Sequence, residues 1–197
     1  MKGRVLYASI VLAVAVMVVL AGCGSSSAQR MRIQITSPSG RPTVTDASIA
    51  VTGIISDPSA TVTVDGEKVS VDGEGAFSTD LDLAYGSNRF VVRAEREEGS
   101  PTSRTITVTR ALELAVESPE ASYVSPSPNL VVNGTVSDPT ARVFVTGAEV
   151  PVDEQGRFSY DLILHYPLTV VPVSAIVDGL DDPVEQQLNV TYESTAS

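Results

Sequence analysis

Cysteine and histidine each occur once in the 197 residues, tryptophan is missing, and 13 basic residues face 24 acidic ones. A single cysteine forbids an intramolecular disulfide, and one cysteine with one histidine cannot supply the thiolate and imidazole set of a structural zinc site. The shortage of lysine and arginine leaves a net charge of −11 and a pI near 4.4. A chain of that sign repels the phosphate backbone that nucleic-acid binding has to neutralise, and no basic cluster interrupts the acidity. Nucleic acid is therefore not an expected partner. What is present is an apolar fraction of 43% rich in valine, punctuated by 14 glycines and 12 prolines. That is the profile of a globular β-rich protein.

Residues 1–22 read as an export signal: Lys2 and Arg4 precede a charge-free run from Val5 to Leu20. The length of that run alone does not separate a cleaved leader from a retained membrane span. At its end, Leu20-Ala21-Gly22-Cys23 resembles the bacterial lipobox. The resemblance implies a diacylglyceryl group on Cys23, cleavage after Gly22, and a fatty-acylated mature N-terminus of the palmitate type. The adjoining Gly24-Ser25-Ser26-Ser27 argues against a buried core thiol, and no electropositive neighbour would activate a redox one. Two or three acyl chains on one cysteine hold a protein stably where a single chain does not. Residues 23–31 then form the lipidated cysteine and a flexible tether. Loss of Lys2 and Arg4 with the leader leaves 11 basic residues against 24 acidic, a charge of −13. Such a surface does not seek anionic lipid, so membrane contact is expected through Cys23 alone.

The rest of the chain is a duplication. Val51-Thr-Gly-Ile-Ile-Ser-Asp-Pro aligns with Val132-Asn-Gly-Thr-Val-Ser-Asp-Pro at an offset of 81, and 18 of the 33 positions from Val51 to Leu83 are identical to their counterparts. A unit of about 80 residues lies near the small end of what buries its own core, and here packing must do so without disulfides. Val62 and Val64 alternate with Thr61 and Thr63, Asp65-Gly66 is a two-residue hairpin turn, and Val69 and Val71 continue the alternation. A turn at Asp72-Gly73-Glu74-Gly75 leads to Phe77, Thr79, Leu81 and Leu83, and Phe90, Val92 and Ala94 mark a further strand. With 32–37, 48–56 and the run at Ile106 and Val108, the count is seven strands per unit. That spacing predicts an immunoglobulin-like sandwich. Pro172 falls inside the sixth strand of the second unit, where a bulge or an exposed amide position is expected.

The pattern Val-x-Gly-x-x-Ser-Asp-Pro, x-Ala-x-Val-x-Val-x-Gly and Val-x-Val-Asp-x-x-Gly-x-Phe-Ser is similar to the bacterial immunoglobulin-like repeat known as glucodextranase domain B. The resemblance spans most of both units. It implies an accessory β-sandwich of secreted or surface proteins with no catalytic residues to carry over.

Possible chemistry is thin. Asp57 and Asp138 precede Pro58 and Pro139, and Asp72 and Asp153 sit in hairpin connections, so turn formation is the expected role rather than a carboxylate pair. Asp178, Asp181 and Asp182 share one turn without the alternation of a calcium loop. His165 has no nucleophile and acid arranged with it. Tyr123, Tyr160 and Tyr166 have no partner at a spacing that makes a sugar platform, and Phe77 and Phe158 read as core.

The sequence thus predicts an all-β protein: signal peptide 1–22, lipidated cysteine and tether 23–31, sandwiches at 32–110 and 111–193, and a tail at 194–197. No catalytic residue, cofactor or metal is expected; the one site is lipidation at Cys23. The expected function is a non-catalytic lipoprotein of the bacterial cell envelope, on its periplasmic or extracellular face, serving as a spacer or docking scaffold for an envelope protein. The alternative is an accessory carbohydrate-binding module, with a saccharide as partner.

Overall fold

A computed structural model describes residues 30–165 and 168–193. The leader, Cys23, the tether as far as Gln29, Tyr166, Pro167 and the tail from residue 194 lie outside the described residues. All regular structure within them is β-strand. The first repeat contributes β1 (Ile33–Ser37), β2 (Thr43–Val44), β3 (Ser48–Ile55), β4 (Thr61–Val64), β5 (Glu67–Val69), β6 (Ala76–Asp82), β7 (Gly86–Glu95) and β8 (Thr102–Arg110). The second contributes β9 (Leu114–Ser118), β10 (Ser122–Ser125), β11 (Asn129–Val136), β12 (Arg142–Val145), β13 (Ala148–Val150), β14 (Arg157–Ile163), β15 (Leu168–Ile176) and β16 (Val184–Tyr192).

In the first repeat β1-β3-β6 make one sheet and β2-β8-β7-β4-β5 the other. The second repeats that order as β9-β11-β14 and β10-β16-β15-β12-β13. The chain therefore carries two tandem immunoglobulin-like sandwiches. The period-2 pattern explains the layers, because alternate side chains of a strand face opposite sides. Val51, Val62, Val92 and Val108 are fully buried in the first core, as are Val132, Val143, Val173 and Val190 in the second. Burying each such side chain contributes about 1.5–3 kcal/mol relative to leaving it in water. Phe77 lies over Gly53, where a Cβ would collide with its ring and with the Gln34 carbonyl; Phe158 and Gly134 repeat the arrangement. The hairpin turn follows from residue chemistry too: Asp65 and Gly66 both have positive φ, 48° and 91°, the combination that suits the twist of a two-residue hairpin.

Two expectations are corrected. Each sandwich has eight strands rather than seven; the additional ones are β2 and β10, which pair in parallel with the ends of β8 and β16. Only two residues of β2 pair, too few to show a period. At Pro172 no bulge occurs: the β15–β16 register runs unbroken from Leu168 to Ala175, with Pro172 opposite Gln187. The reason lies in the equivalent place of the first sandwich, where the Val91 amide donates to the Asp65 carboxylate at 2.7 Å. The second sandwich has Thr146 at the position of Asp65, so the side-chain acceptor and the backbone donor are absent together. The bond that both copies keep runs the other way, from the turn amide to the strand carbonyl, at 3.0 Å to Val91 and 2.9 Å to Pro172.

Candidate functional site

The repeated aspartates are built into the backbone. Asp72 accepts from the amides of Glu74 and Ala76 at 2.9 and 2.8 Å, and Asp153 from those of Gln155 and Arg157 at 2.9 and 2.8 Å. In the Ser-Asp-Pro turns, one oxygen of Asp57 accepts from the Ser59 amide and hydroxyl at 3.1 and 2.7 Å. Asp138 accepts in the same way from Thr140 at 2.9 and 2.6 Å. A carboxylate committed to holding its own turn is poorly placed to move protons or attack a substrate.

The second oxygen of that turn aspartate separates the two copies. Asp57 Oδ2 pairs with Arg96 Nη1 at 3.1 Å, inside its own sandwich. Asp138 Oδ2 is instead reached from the first sandwich: the Tyr85 hydroxyl donates to it at 2.7 Å and Arg110 Nη2 at 3.2 Å. Arg110 lies over the Tyr85 ring, 3.9 Å from its centroid, and its Nη1 donates to the Leu83 carbonyl at 3.3 Å. Tyr85 also packs against the second core, although it belongs to the first repeat. The Arg110 and Asp138 side chains are only 14% and 18% exposed, against 31% and 26% for Arg96 and Asp57. The joint is therefore drier than its intradomain counterpart, and charge attraction there is less screened.

The titration of the groups reflects this. The Thr140 hydroxyl and then the Tyr85 hydroxyl hold the Asp138 carboxyl below its usual range. Burial, reinforced by the neighbouring Asp138 carboxylate, pushes the Tyr85 phenol up to about 12. Asp57 is also lowered, first by the Ser59 hydroxyl. The linking residues Thr109 and Ala111 are fixed as well, their amides donating to the Pro42 and Val44 carbonyls at 2.9 Å each. Sequence reading placed Asp138 in a turn but missed its grip by Tyr85 and Arg110. The one local signal was Arg110 at the end of the first repeat, where the second has the neutral Tyr192.

The outer surfaces of the copies also differ. Val131, Ile163, Val124 and Val170 of the second sandwich are 46%, 66%, 55% and 44% exposed. Their counterparts at the repeat offset are Ala50, Asp82, Thr43 and Arg89, small or polar in every case. Val131 and Ile163 lie diagonally on β11 and β14, whose register pairs Val131 with Asp161 and Asn129 with Ile163. Of the candidate sugar-stacking rings, Tyr123 is exposed on β10, Tyr160 packs on the second core, and Tyr166 lies outside the described residues. His165 and the Asp178, Asp181 and Asp182 loop are exposed. Among the described residues no group of three or more His, Cys, Asp or Glu side chains is placed to hold a metal ion. The predicted lipidation site, Cys23, is outside the described residues.

Known proteins resemble parts of this chain. Residues 32–111 match the family described as glucodextranase, domain B. A PII-type proteinase of Lactococcus lactis subsp. cremoris is 26% identical over 144 residues, 64% of this chain but 8% of that protein. A PII-type proteinase of Lacticaseibacillus paracasei matches at the same identity and coverage. The chain thus spans less than a tenth of the curated relatives it matches. Among solved structures, fibronectin(III)-like modules of Clostridium thermocellum CbhA align over 83% of this chain and 95% of theirs, at 14% identity and a TM-score of 0.34.

Proposed function

We propose that this chain is a non-catalytic lipoprotein of the bacterial cell envelope that holds two immunoglobulin-like domains in a fixed relation and so serves as a spacer or docking scaffold for another envelope protein. The observation that carries the reading is the joint at Asp138. A tandem of independent domains needs no half-buried tyrosine and arginine reaching from one sandwich to a turn of the next, whereas a scaffold that presents two surfaces at one spacing does. The carboxylates that an enzyme would use are instead tied to backbone amides. The lipobox-like Leu20-Ala21-Gly22-Cys23 supplies the anchor through Cys23, and the match to a small part of larger proteinases fits an accessory module. The PII-type activity of those proteins is not carried over.

Two measurements test the reading. Cys23→Ser abolishes metabolic labelling by a palmitate analogue and releases the chain from membranes; continued labelling or membrane retention refutes the anchor. Crosslinking in intact envelopes, followed by capture of the full chain, recovers one dominant protein in near-stoichiometric amount, and Asp138→Ala reduces its recovery. Retention of the chain by a polysaccharide matrix, with no protein recovered, refutes docking.

A further inference from the structure

The two sandwiches close one side differently. In the second, Gln186 of β16 seals the outer edge of β9: its amide oxygen accepts from the Val116 amide at 3.1 Å and its amide nitrogen donates to the Leu114 carbonyl at 2.9 Å. In the first, β1 stands in the place of β9, with Ile33 and Ile35 matching Leu114 and Val116. The residue equivalent to Gln186 is Arg104, because Val92 pairs with Arg104 as Val173 pairs with Gln186. Arg104 Nε donates to the Ile33 carbonyl at 3.3 Å, repeating one half of the seal. It cannot repeat the other half, since a guanidinium has donors only. The Ile35 amide is left facing a cleft of about 770 Å³ lined by Arg32, Gln34, Ile35, Pro38, Ile54 and Arg104.

Charge marks the same cleft. Arg32 corresponds to Glu113 in the second copy, so two arginines replace an acid and a neutral amide. Neither Arg32 nor Arg104 takes part in an ion pair among the described residues. In a chain of net charge −11, these two cations flank the strand edge whose seal is incomplete. Ile54, 45% exposed, adds an apolar wall. An extended segment laid along β1 would give a backbone carbonyl to the Ile35 amide and bring alternate side chains to the arginines, the geometry of strand addition.

We propose that the outer edge of β1 is a docking groove for an extended, carboxylate-bearing segment of a partner protein, paired through the backbone at Ile35 and through acidic side chains at Arg104 and Arg32. This rests on the docking function above and names its surface. The test is fluorescence anisotropy with the full chain in detergent and a short labelled peptide of alternating glutamate and valine. The acidic peptide binds; its glutamine analogue binds roughly tenfold more weakly or worse, and its lysine analogue still less. Arg104→Gln installs the seal of the second copy and weakens binding roughly tenfold or more with the unfolding midpoint preserved. Arg32→Glu, the residue of the second copy, does likewise and serves if Arg104→Gln fails to fold. N-methylation of the peptide amides on one edge abolishes binding, while methylation on the other edge is tolerated.

Equal binding of the three peptides overturns the proposal, as does indifference to Arg104→Gln with Arg32→Glu, or to methylation on either edge. A concentration-dependent dimer that Arg104→Gln dissolves, with no peptide uptake, places a second copy on the edge and also overturns it. Envelope capture that survives both substitutions refutes the groove and leaves the docking function standing, so the two failures are distinguishable.

Discussion

Replacing Tyr85 by phenylalanine removes one oxygen from the joint and leaves the ring that packs on the second core and supports Arg110. The lost bond is a 2.7 Å donation to a carboxylate that stays in place. Hydrogen bonds to charged groups contribute about 1.5–3 kcal/mol, and Asp138 keeps its bonds from Thr140 and Arg110, so a loss of about 1–2 kcal/mol is expected. For a chain of this size that lowers the thermal midpoint by roughly 2–8 °C. The pH dependence gives an independent reading. The Asp138 carboxyl is depressed below 3.8 in the folded chain, so its contribution is present above that value and is lost as pH falls through the folded pKa. Tyr85 is raised from 10.0 to about 12, so its contribution is intact below pH 10 and disappears as pH climbs through about 12. Tyrosinate absorbance should therefore show a late-titrating phenol in the native chain and none in Tyr85→Phe. Calorimetry of both chains across pH checks the stability side. An unchanged midpoint, or a native titration with no late phenol, refutes the reasoning that the joint is dry and cohesive.

Other perturbations follow from the same geometry. Asp138→Ala should lower the midpoint more than Asp57→Ala, since both open a Ser-Asp-Pro turn but only the first also releases the joint; calorimetry of the pair decides, and equality contradicts the difference. Val91→Pro strips the Asp65 carboxylate of its donor, and Asp65→Thr strips the Val91 amide of its acceptor. Combined, they reproduce the second sandwich, so a double-mutant cycle in urea should show the double variant more stable than additivity by about 0.5–1.5 kcal/mol. Gly53→Ala drives a methyl group into Phe77 and the Gln34 carbonyl and should cost about 1–3 kcal/mol, whereas Gly73→Ala, with open space around it, should stay within about 0.5 kcal/mol on the same urea curves.

Much of the architecture is legible because it is written twice. The valines of β4 and β7 recur as Val143 and Val173, and a repeated alternation fixes which face is buried. Asp65-Gly66 announces its turn through two residues tolerant of positive φ. The joint is another matter. A proline after Asp138 shows that one carboxylate oxygen holds a turn, but nothing local tells where the other oxygen points. Its partners Tyr85 and Arg110 lie 53 and 28 residues away in the chain and meet it only once both sandwiches have formed. The same distance hid the Gln186 seal, whose bonds span 70 and 72 residues. At Pro172 the bulge fails but the other alternative, an amide position outside the ladder, holds: the equivalent amide in the first copy serves a side chain that the second copy no longer has.

The tyrosine and arginine that clasp Asp138 also give the duplication a direction. Arg110 sits at the end of β8, and the corresponding end of β16 carries Tyr192, a neutral phenol. At the head of the chain, Asp57 is already engaged by Arg96 from its own domain. The two halves are therefore not interchangeable parts: transposing them would set a phenol against an occupied carboxylate and leave no clasp. A further copy of the second half would terminate the linkage, since Tyr192 brings no cation, and a further copy of the first would offer an Asp57 that its own Arg96 already engages. Two cations that the sister sequence lacks, Arg96 and Arg110, are enough to turn a duplicated module into an ordered pair.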